Sequence, residues 1–290
     1  FCFSGEMSAP LLYESHSHTP LCNHAIGAPA DYAAVAEARG LRGTIFTCHC
    51  PLPDGFSSNV RMTPEQYEEY VAMVAEARDE YEGRVDVQLG LESDFYPGVE
   101  PWLEELHARH PLNHVLGSVH PQVQDYKAIY FNGDHFYYQQ VYFDHLAMAA
   151  ETGLYDTLAH PDLIKNESIE DWDFVRIQPY IERSLDRIAA TGICMEFNTS
   201  GRNKGMGEFN PGQTMLGLMH DRGIPVVLGA DAHQPERVAE GYEDAMQSLQ
   251  TAGYTEINFF LDRKRQTVAI SDALASLKPL EESVIPSRGR

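Results

Sequence analysis

Short apolar runs alternate along the chain with longer amphipathic segments. The apolar runs predict strands at 11–15, 43–47, 85–91, 114–119, 156–159, 193–197, 225–228 and 257–260. The amphipathic segments predict helices at 29–38, 63–81, 99–109, 135–152, 174–190, 211–222 and 238–251, and the polar, aromatic stretch 122–134 is predicted to be a loop. Because parallel strands need crossover connections, this alternation predicts βα units and a parallel sheet.

The number of units and the chain length favour one domain. The chain has 290 residues, which is near the size of a single α/β barrel. No Gly-rich dinucleotide fingerprint follows the first strand, so about seven βα units favour a barrel over a doubly wound sheet. We expect residues 1–10 to be an N-terminal tail, residues 11–270 to form the domain, and residues 271–290 to be a C-terminal extension.

The amino-acid composition limits the classes of partner that the protein is expected to bind. There are 21 Lys and Arg against 43 Asp and Glu, a formal charge of -22, and such a surface repels nucleic-acid phosphates. An anionic substrate would therefore need local positive charge, from metal ions or from a few Arg and Lys side chains. No run of 18 apolar residues predicts a membrane span. Five cysteines without a regular framework are typical of the reducing cytoplasm, where we expect the protein.

Ligand-type side chains gather where the predicted strands end. Seven of the thirteen histidines lie there with two acids, and all strand ends of a parallel barrel open on one face. The set comprises His16, His18, His24, His49, Glu92, His120, His160, Asp231 and His233. A single histidine at a strand end is more often a packed or surface residue, and the other six are interpreted so. Together, however, the nine predict a metal site.

The spacing within this set suits metal binding. His16 and His18 are two apart on an extended segment and point the same way, and Asp231 and His233 repeat that spacing. Glu92 could bridge two ions through its two oxygens. Imidazole suits Zn, Fe and Mn, and carboxylates add hard oxygen ligands.

Other chemistries fit the sequence less well. Cys48 and Cys50 flank His49, but no second Cys pair follows, which argues against a closed zinc finger. A thiol nucleophile there would need a base and an orienting group, so a supporting role is favoured. No G-x-S-x-G elbow and no Walker loop is present.

The ordered motifs resemble those of the PHP (polymerase and histidinol phosphatase) superfamily over roughly residues 11 to 265. They are His16-x-His18, His24, Thr47-x-His49, Gly90-x-Glu92, Gly117-Ser118-x-His120, Ala159-His160-Pro161-Asp162 and Gly229-x-Asp231-x-His233. Within the superfamily the chain most resembles the stand-alone histidinol-phosphatases, on the stretches 20–25, 61–62 and 196–204. One departure is Cys48, where the family often has Asp.

The resemblance implies a distorted (β/α)7, TIM-like barrel with two or three divalent ions (Zn, Mn or Fe). His16, His18, Glu92 and Asp231 would hold the first ion. Glu92, His120 and His160 would hold the second, and His24, His49 and His233 the third. Because Cys48 adjoins His49, this departure would alter the surroundings of the third ion.

The function implied is hydrolysis of L-histidinol phosphate to L-histidinol and phosphate, in histidine biosynthesis. A hydroxide that bridges two ions would attack phosphorus, because bound metals lower the pKa of water to about 7. Glu92, Asp231 and His233 are the predicted catalytic residues. Arg202 is the first candidate for binding the phosphate, followed by Lys204 and Arg61.

The cationic end of that substrate requires acidic or polar contacts. Asp162 is the predicted residue, with orientation of His160 as its alternative role, and Glu14, Asp94 and Glu208 are further candidates.

Two other functions stay open at this point. The chain could be another PHP phosphoesterase, acting on nucleotides, cyclic phosphodiesters or oligonucleotide ends. It could also be a metal-binding regulatory protein without turnover. We expect a small phosphorylated substrate as partner, no stable nucleic-acid partner and no membrane, and a homodimer is an open alternative.

Overall fold

The computed structural model describes residues 9–279. Within them one nine-stranded sheet runs in chain order from β1 to β9. Its strands are β1 (Tyr13–Ser17), β2 (Gly43–Phe46), β3 (Asp86–Asp94), β4 (His114–Ser118), β5 (Thr157–Leu158), β6 (Cys194–Asn198), β7 (Val226–Gly229), β8 (Glu256–Leu261) and β9 (Lys264–Ala269). The predicted tail and extension lie largely outside the described residues, at 1–8 and 280–290.

Helices connect the consecutive strands from β1 to β8, as the alternating pattern predicts. They are α1 (Pro29–Ala38), α2 (Tyr67–Glu80), α3 (Glu100–His107), α4 (Gln124–Tyr130), α5 (His135–Thr152), α6 (Phe174–Thr191), α7 (Gln213–Asp221), α8 (Tyr242–Ala252) and α9 (Ile270–Ser276). α9 crosses the predicted boundary at 270 and buries Ile270 and Ala273. In the described part of the chain, no helix is long and apolar enough to cross a membrane.

Local sequence explains where the long helices begin and end. Asp134 accepts hydrogen bonds from the backbone N–H groups at the start of α5, and Asp173 does the same for α6. Gly153 and Gly192 end these helices with positive φ angles of 71° and 75°. One face of α6 carries its buried side chains at helical spacing, namely Ile177, Ile181, Ser184, Leu185 and Ile188.

The sheet is parallel from β1 to β8, and β9 returns antiparallel along β8. The predicted single-domain α/β fold with a largely parallel sheet is therefore confirmed. The closed barrel is not confirmed, because the described residues contain no strand ladder between β1 and β7. The two are linked only beyond the end of β7, where His18 N donates to Ala232 O at 2.9 Å and Ala232 N donates to His16 O at 2.9 Å.

Three local predictions differ from the structure. The predicted loop 122–134 contains α4, whose one buried side chain, Tyr126, binds His145 of α5 through its hydroxyl at 2.7 Å. The strand β9 was not predicted, because its side chains are mostly exposed and lack an apolar pattern. β3 extends to Asp94, so Glu92 lies inside the strand and not after it.

Candidate metal centre

The predicted ligands converge at the carboxyl ends of the parallel strands. His16 lies in β1 and Glu92 in β3, and the other members follow a strand or a short turn. The register of β3 and β4 sets Glu92 opposite Leu116, so that His120 in the loop after β4 reaches back to it. Most of these side chains are buried, while His24 is exposed and His233 partly so.

Glu92 lies at the middle of five imidazoles and presents one oxygen to each of two groups. Its Oε2 is 3.3 Å from His16 Nε2, 3.6 Å from His18 Nε2 and 2.9 Å from His49 Nδ1. Its Oε1 is 2.9 Å from His160 Nε2 and 3.3 Å from His120 Nε2. This division of the two oxygens is the geometry that a bridging carboxylate needs.

Asp231 faces the same cluster from the other side. Its Oδ1 is 3.2 Å from His18 Nε2 and 3.3 Å from His233 Nδ1, while its Oδ2 accepts a hydrogen bond from Ser200 Oγ at 2.9 Å. Asp231 and His160 have φ angles of 50° and 28°, in the left-handed region that favours glycine. Such strain at two residues of one cluster is typical of functional sites.

A third group lies at the mouth of the cluster. Ring nitrogens of His24, His49 and His233 lie within 4.8 Å of one another, as do the ligand atoms of His16, His18 and Asp231. The Cys22 thiol lies with His18 and His233 at the same limit. The six histidines interpreted as packed or surface residues are outside these groups and bind elsewhere, for example His110 to Glu68 and His114 to Thr157.

Unpartnered buried atoms test whether this cluster fits metal ions. The cluster atoms that make no hydrogen bond with the described residues include His16 Nε2, His18 Nδ1, His18 Nε2, His49 Nδ1, Glu92 Oε2 and His233 Nε2. A buried polar atom without a partner costs about 1–3 kcal/mol. Divalent ions would provide partners for these atoms, and an imidazole and carboxylate donor set suits Zn, Mn and Fe. The residues present therefore fit such ions.

The charges in the cluster are strongly coupled. Burial acts to raise the pKa of Glu92, but the neighbouring His49, His16 and His120 hold it well below its usual range. Burial acts against protonation of His120, yet the adjacent Asp94 and Glu92 raise its pKa to about 10. The pKa of His49 falls to about 3 because it is buried. Without metal, the cluster thus mixes protonated and neutral imidazoles around ionised carboxylates.

Glu196 in β6 supports the cluster from behind, a role that the sequence analysis missed. It is fully buried and accepts hydrogen bonds from His16 Nδ1 at 2.7 Å, from His160 N at 2.8 Å and from Asn198 Nδ2 at 3.0 Å. A carboxylate that holds the far nitrogen of a ligating histidine fixes its tautomer and orientation. The available signal was an acid in the middle of an apolar strand.

Asp94 has the same supporting position for His120. Its Oδ1 is 3.0 Å from His120 Nδ1, and its Oδ2 pairs with Arg61 Nη2 at 2.6 Å. Ser118 Oγ donates to it at 3.2 Å. Asp94 is therefore paired with His120 and Arg61, and it does not line the cleft as an unpaired acid.

The cluster opens into a cleft of about 440 Å³. Its lining includes His24, His49, His120, His160, Asp231 and His233, together with Asn59, Gln122, Gln124, Asn203, Arg61, Lys204 and Arg237. Among the described residues that line it, Asp231 is the one carboxylate and three side chains are cationic. An overall acidic protein therefore presents local positive charge beside the cluster.

The structure separates the three predicted phosphate-binding residues. Lys204 lines the cleft, with its Nζ 2.6 Å from Ser200 Oγ and 3.3 Å from Asp231 Oδ2. Arg61 also borders the cleft, but it is 2% exposed and tied to Asp94 and to Cys50 O.

The prediction that Arg202 binds the phosphate is corrected by the structure, because Arg202 does not line this cleft. The short 3-10 turn Thr199–Asn203 directs its side chain outward, where it is exposed and pairs with Asp244 at 2.5 Å. Its guanidinium lies 5.1 Å from the ring centre of Phe209, in a different pocket.

Asp162 also turns away from the cleft, contrary to the prediction. It is 2% exposed and accepts hydrogen bonds from Asn210 Nδ2 at 2.5 Å, Gly212 N at 2.8 Å and Lys165 Nζ at 2.9 Å. It therefore anchors the loop after β6 and does not orient the His160 ring.

The other two candidate acids have structural contacts as well. Glu14 is fully buried and accepts from the backbone N–H groups of His16, Ala230 and Ala239 at 2.8–3.0 Å. Glu208 lies 3.4 Å from the buried Lys165. Neither borders the cleft.

The cysteines near His49 have supporting positions. Cys48 Sγ accepts from Thr19 N at 3.4 Å and from Thr19 Oγ1 at 3.3 Å, and it is fully buried. The four described cysteines are all free and buried. The hydrogen bond with Cys48 and the nearby imidazoles hold the pKa of the Cys22 thiol below its usual range, against the effect of burial.

A buried histidine and carboxylate cluster at the carboxyl edge of a parallel sheet is typical of metal-dependent hydrolases, and this is the class that the fold and the site indicate.

Comparison with known proteins makes the assignment more specific. The PHP domain model matches residues 14–200, and the chain belongs to this family. It is 38% identical over 261 residues to a probable histidinol-phosphatase from Deinococcus radiodurans, which covers 86% of this chain and 96% of that protein. It is 25% identical to the histidinol-phosphatase of Bacillus subtilis, over 79% of this chain and 96% of that one.

A solved structure shares the fold. The histidinol phosphate phosphatase of Lactococcus lactis, in complex with zinc, L-histidinol and phosphate, superposes with a TM-score of 0.72 at 19% identity. The match covers 88% of this chain and 98% of the other.

Proposed function

We propose that this protein is a histidinol-phosphatase, which hydrolyses L-histidinol phosphate to L-histidinol and phosphate. The observation that carries the proposal is Glu92, shared between five imidazoles, of which His49, His120 and His160 line a cleft that also carries three cationic side chains. The relatives named histidinol-phosphatase, which align over most of the chain, support the choice of substrate.

We propose that the cluster holds two or three divalent ions. His16, His18 and Asp231 would hold the first with Glu92, His120 and His160 would hold the second with Glu92, and His24, His49 and His233 would hold the third. The zinc in the Lactococcus lactis structure supports Zn as one of the ions. Divalent ions bound there would polarise the phosphoryl oxygens and lower the pKa of a water molecule.

The side chains around the ions would hold them in fixed positions. Glu92 would contribute to two of the ion positions, and Asp231, whose Oδ1 lies 3.2 Å from His18 Nε2, would contribute to the first. Glu196 and Asp94 would hold His16 and His120 by their far nitrogens. His233 Nε2 has no hydrogen-bond partner among the described residues and lies at the mouth of the cleft, where it would ligate the third ion.

Lys204 would bind the phosphoryl group. Its Nζ lies beside Asp231 and Ser200 on the cleft wall, so one ammonium group can contact both the metal-binding carboxylate and a phosphate oxygen. Arg61, paired with Asp94, would act through that carboxylate and not by direct contact.

The amides at the mouth would receive the other end of the substrate. Asn59, Gln122 and Gln124 line the cleft and offer both donors and acceptors to an imidazole and an amino group. With Asp162 turned away, these amides replace the predicted acidic contact.

We also propose the finer features of the fold and setting. The hydrogen bonds that link His16 and His18 to Ala232 support a distorted (β/α)7 barrel with its seam between β1 and β7. The four cysteines within the described residues, which are free and buried, support the cytoplasm as its compartment.

A substrate panel tests the function. The purified chain, reconstituted separately with Zn, Mn or Fe, is assayed for phosphate release from L-histidinol phosphate, a nucleoside monophosphate and p-nitrophenyl phosphate. We expect kcat/KM for L-histidinol phosphate to exceed the others by at least about tenfold, because a site that hydrogen-bonds a substrate discriminates against analogues that lack those groups. Equal or slower turnover of L-histidinol phosphate would refute the substrate and leave a general phosphoesterase.

A further inference from the structure

Arg237 lies on the cleft wall beside the proposed metal cluster, and it is not one of the proposed metal ligands. It ends the 3-10 turn Pro235–Arg237, which follows β7 and the cluster residue His233. Its side chain lines the same cleft as His24, His233 and Lys204. The loop that provides two predicted metal ligands thus also provides a guanidinium group.

The guanidinium of Arg237 is only partly paired. Its Nε donates to Glu240 Oε2 at 2.8 Å, whereas its Nη2 is buried and has no hydrogen-bond partner among the described residues. A buried charged donor without a partner is unfavourable, so an acceptor is expected to come to it. In this cleft, that acceptor would be a bound anion.

Glu240 links Arg237 to Asn203, a second residue that lines the cleft. The same Oε2 atom accepts from Asn203 Nδ2 at 3.2 Å, so one carboxylate connects the loop after β7 with the loop after β6. Asn203 also borders the cleft. This contact fixes Nε and leaves the outer nitrogens of the fork for a ligand.

An arginine side chain can contact two oxygens of a phosphate at once, which Lys204 cannot do. A guanidinium presents a planar fork that matches two oxygens of a phosphate, while an ammonium group acts as a point charge. Arg202, the arginine that the sequence favoured for this role, is committed to Asp244 outside the cleft. Arg61 is committed to Asp94.

We propose that Arg237 is a specificity-determining residue that binds the phosphoryl group of the substrate, and that Glu240 positions it. The inference rests on the proposed phosphatase function and adds to it a residue that selects for the anionic group.

The test uses the full-length, metal-loaded protein and the variants R237Q, R237K and E240Q. R202Q is the matched control, because it removes an arginine from the neighbouring loop that does not line the cleft. For each protein we measure kcat and KM for L-histidinol phosphate, the Ki of inorganic phosphate, and bound metal by elemental analysis. Calorimetric titration with inorganic phosphate and with L-histidinol, which lacks the phosphate, gives the affinities without turnover.

We expect R237Q to raise KM and the Ki of phosphate together by about tenfold or more, the usual scale for a lost charge-assisted hydrogen bond. The metal content, the value of kcat within about threefold, and the affinity for L-histidinol should be retained, since the contact is to the phosphoryl group in both ground and transition states. R237K should recover part of the loss, E240Q should show a smaller increase, and R202Q should match the wild type.

Unchanged phosphate affinity in R237Q would overturn the proposal. So would an equal loss of affinity for phosphate and for L-histidinol, or a loss of metal, since each would indicate a structural role. If the wild type binds phosphate through Arg237 but does not hydrolyse L-histidinol phosphate, the proposed substrate fails while the contact stands.

Discussion

Replacing Glu196 by Gln tests whether the carboxylate behind the cluster orients its ligands. Glu196 Oε1 is 2.7 Å from His16 Nδ1, and Oε2 accepts from His160 N at 2.8 Å and from Asn198 Nδ2 at 3.0 Å. A glutamine has the same shape but one acceptor oxygen. One side of this network must therefore face an amide N–H where it now faces an oxygen.

The expected loss of metal affinity follows from the kind of contact that the substitution removes. Substitution of a group that hydrogen-bonds a metal-ligating histidine lowers metal affinity or activity by about 10- to 100-fold. This corresponds to about 1.4–2.7 kcal/mol, which agrees with the roughly 1.5–3 kcal/mol of a hydrogen bond to a charged group. Full burial of Glu196 and His16 leaves little room for water to replace the lost acceptor.

The assay is a titration of Zn against a competing chelator, followed by phosphate release at saturating metal. Asp162→Asn is the matched control, because Asp162 is also a buried carboxylate with three hydrogen bonds but touches no cluster side chain. We expect E196Q to bind Zn 10- to 100-fold more weakly. D162N should lower the thermal stability while its Zn affinity stays close to that of the wild type.

Two results would refute this reasoning. Wild-type Zn affinity in E196Q would show that the carboxylate does not orient the histidines. Equal losses in E196Q and D162N would show that any buried carboxylate in this region has the same effect.

Three further predictions concern protons, acid stability and packing. Metal binding at pH 7 should release up to four protons, because the pKa values of four cluster histidines are raised without metal: His16, His18, His24 and His120. Calorimetry in buffers of different ionisation enthalpy measures this release. Burial lowers the pKa of His145 to about 4 from 6.5, so the folded state takes up this proton less readily than the unfolded chain. Neutral His145 therefore contributes about 3 kcal/mol to the free energy of unfolding above pH 6.5, and this contribution is lost as the pH falls toward 4. Urea unfolding of the metal-free protein should show a smaller loss of stability over this pH range in H145Q than in the wild type. An identical loss of stability in the two proteins would contradict the prediction. Gly229→Ala would bring a methyl group against Glu196 Oε1 and His16 Cβ, so we expect lower Zn affinity as well as a lower melting temperature, and normal Zn binding would argue against this packing.

The sequence was sufficient to predict β1 to β8 and the convergence of the proposed ligands. Apolar runs mark the buried parallel strands, as in β2 (GTIF) and β7 (VVLG), and such runs locate the strand ends near which the ligands lie. His16 and His18 converge with Asp231 and His233 because parallel topology places all these ends on one face. The same logic could not predict closure of the sheet, which depends on strand tilt and on pairing between residues far apart in sequence.

The supporting residues were harder to predict, since their roles depend on contacts between distant strands. Glu196 reaches His16 across 180 positions, and Asp94 reaches His120 across a neighbouring strand. The predicted roles of Arg202 and Asp162 at the cleft were wrong because closeness in sequence does not fix the direction of a side chain. Sequence position puts both next to site residues, but the turn geometry directs one to Asp244 and the other to Asn210.

The central claim is that Glu92 unites two groups of imidazoles into one metal centre. Elemental analysis of purified wild type and E92Q, with phosphate release from L-histidinol phosphate measured on the same samples, tests it most directly. A glutamine would leave one of the two ion positions without its oxygen ligand. We predict that E92Q loses bound metal and turnover together while its folded secondary structure persists. Retention of both the full metal content and full activity by E92Q would contradict the account.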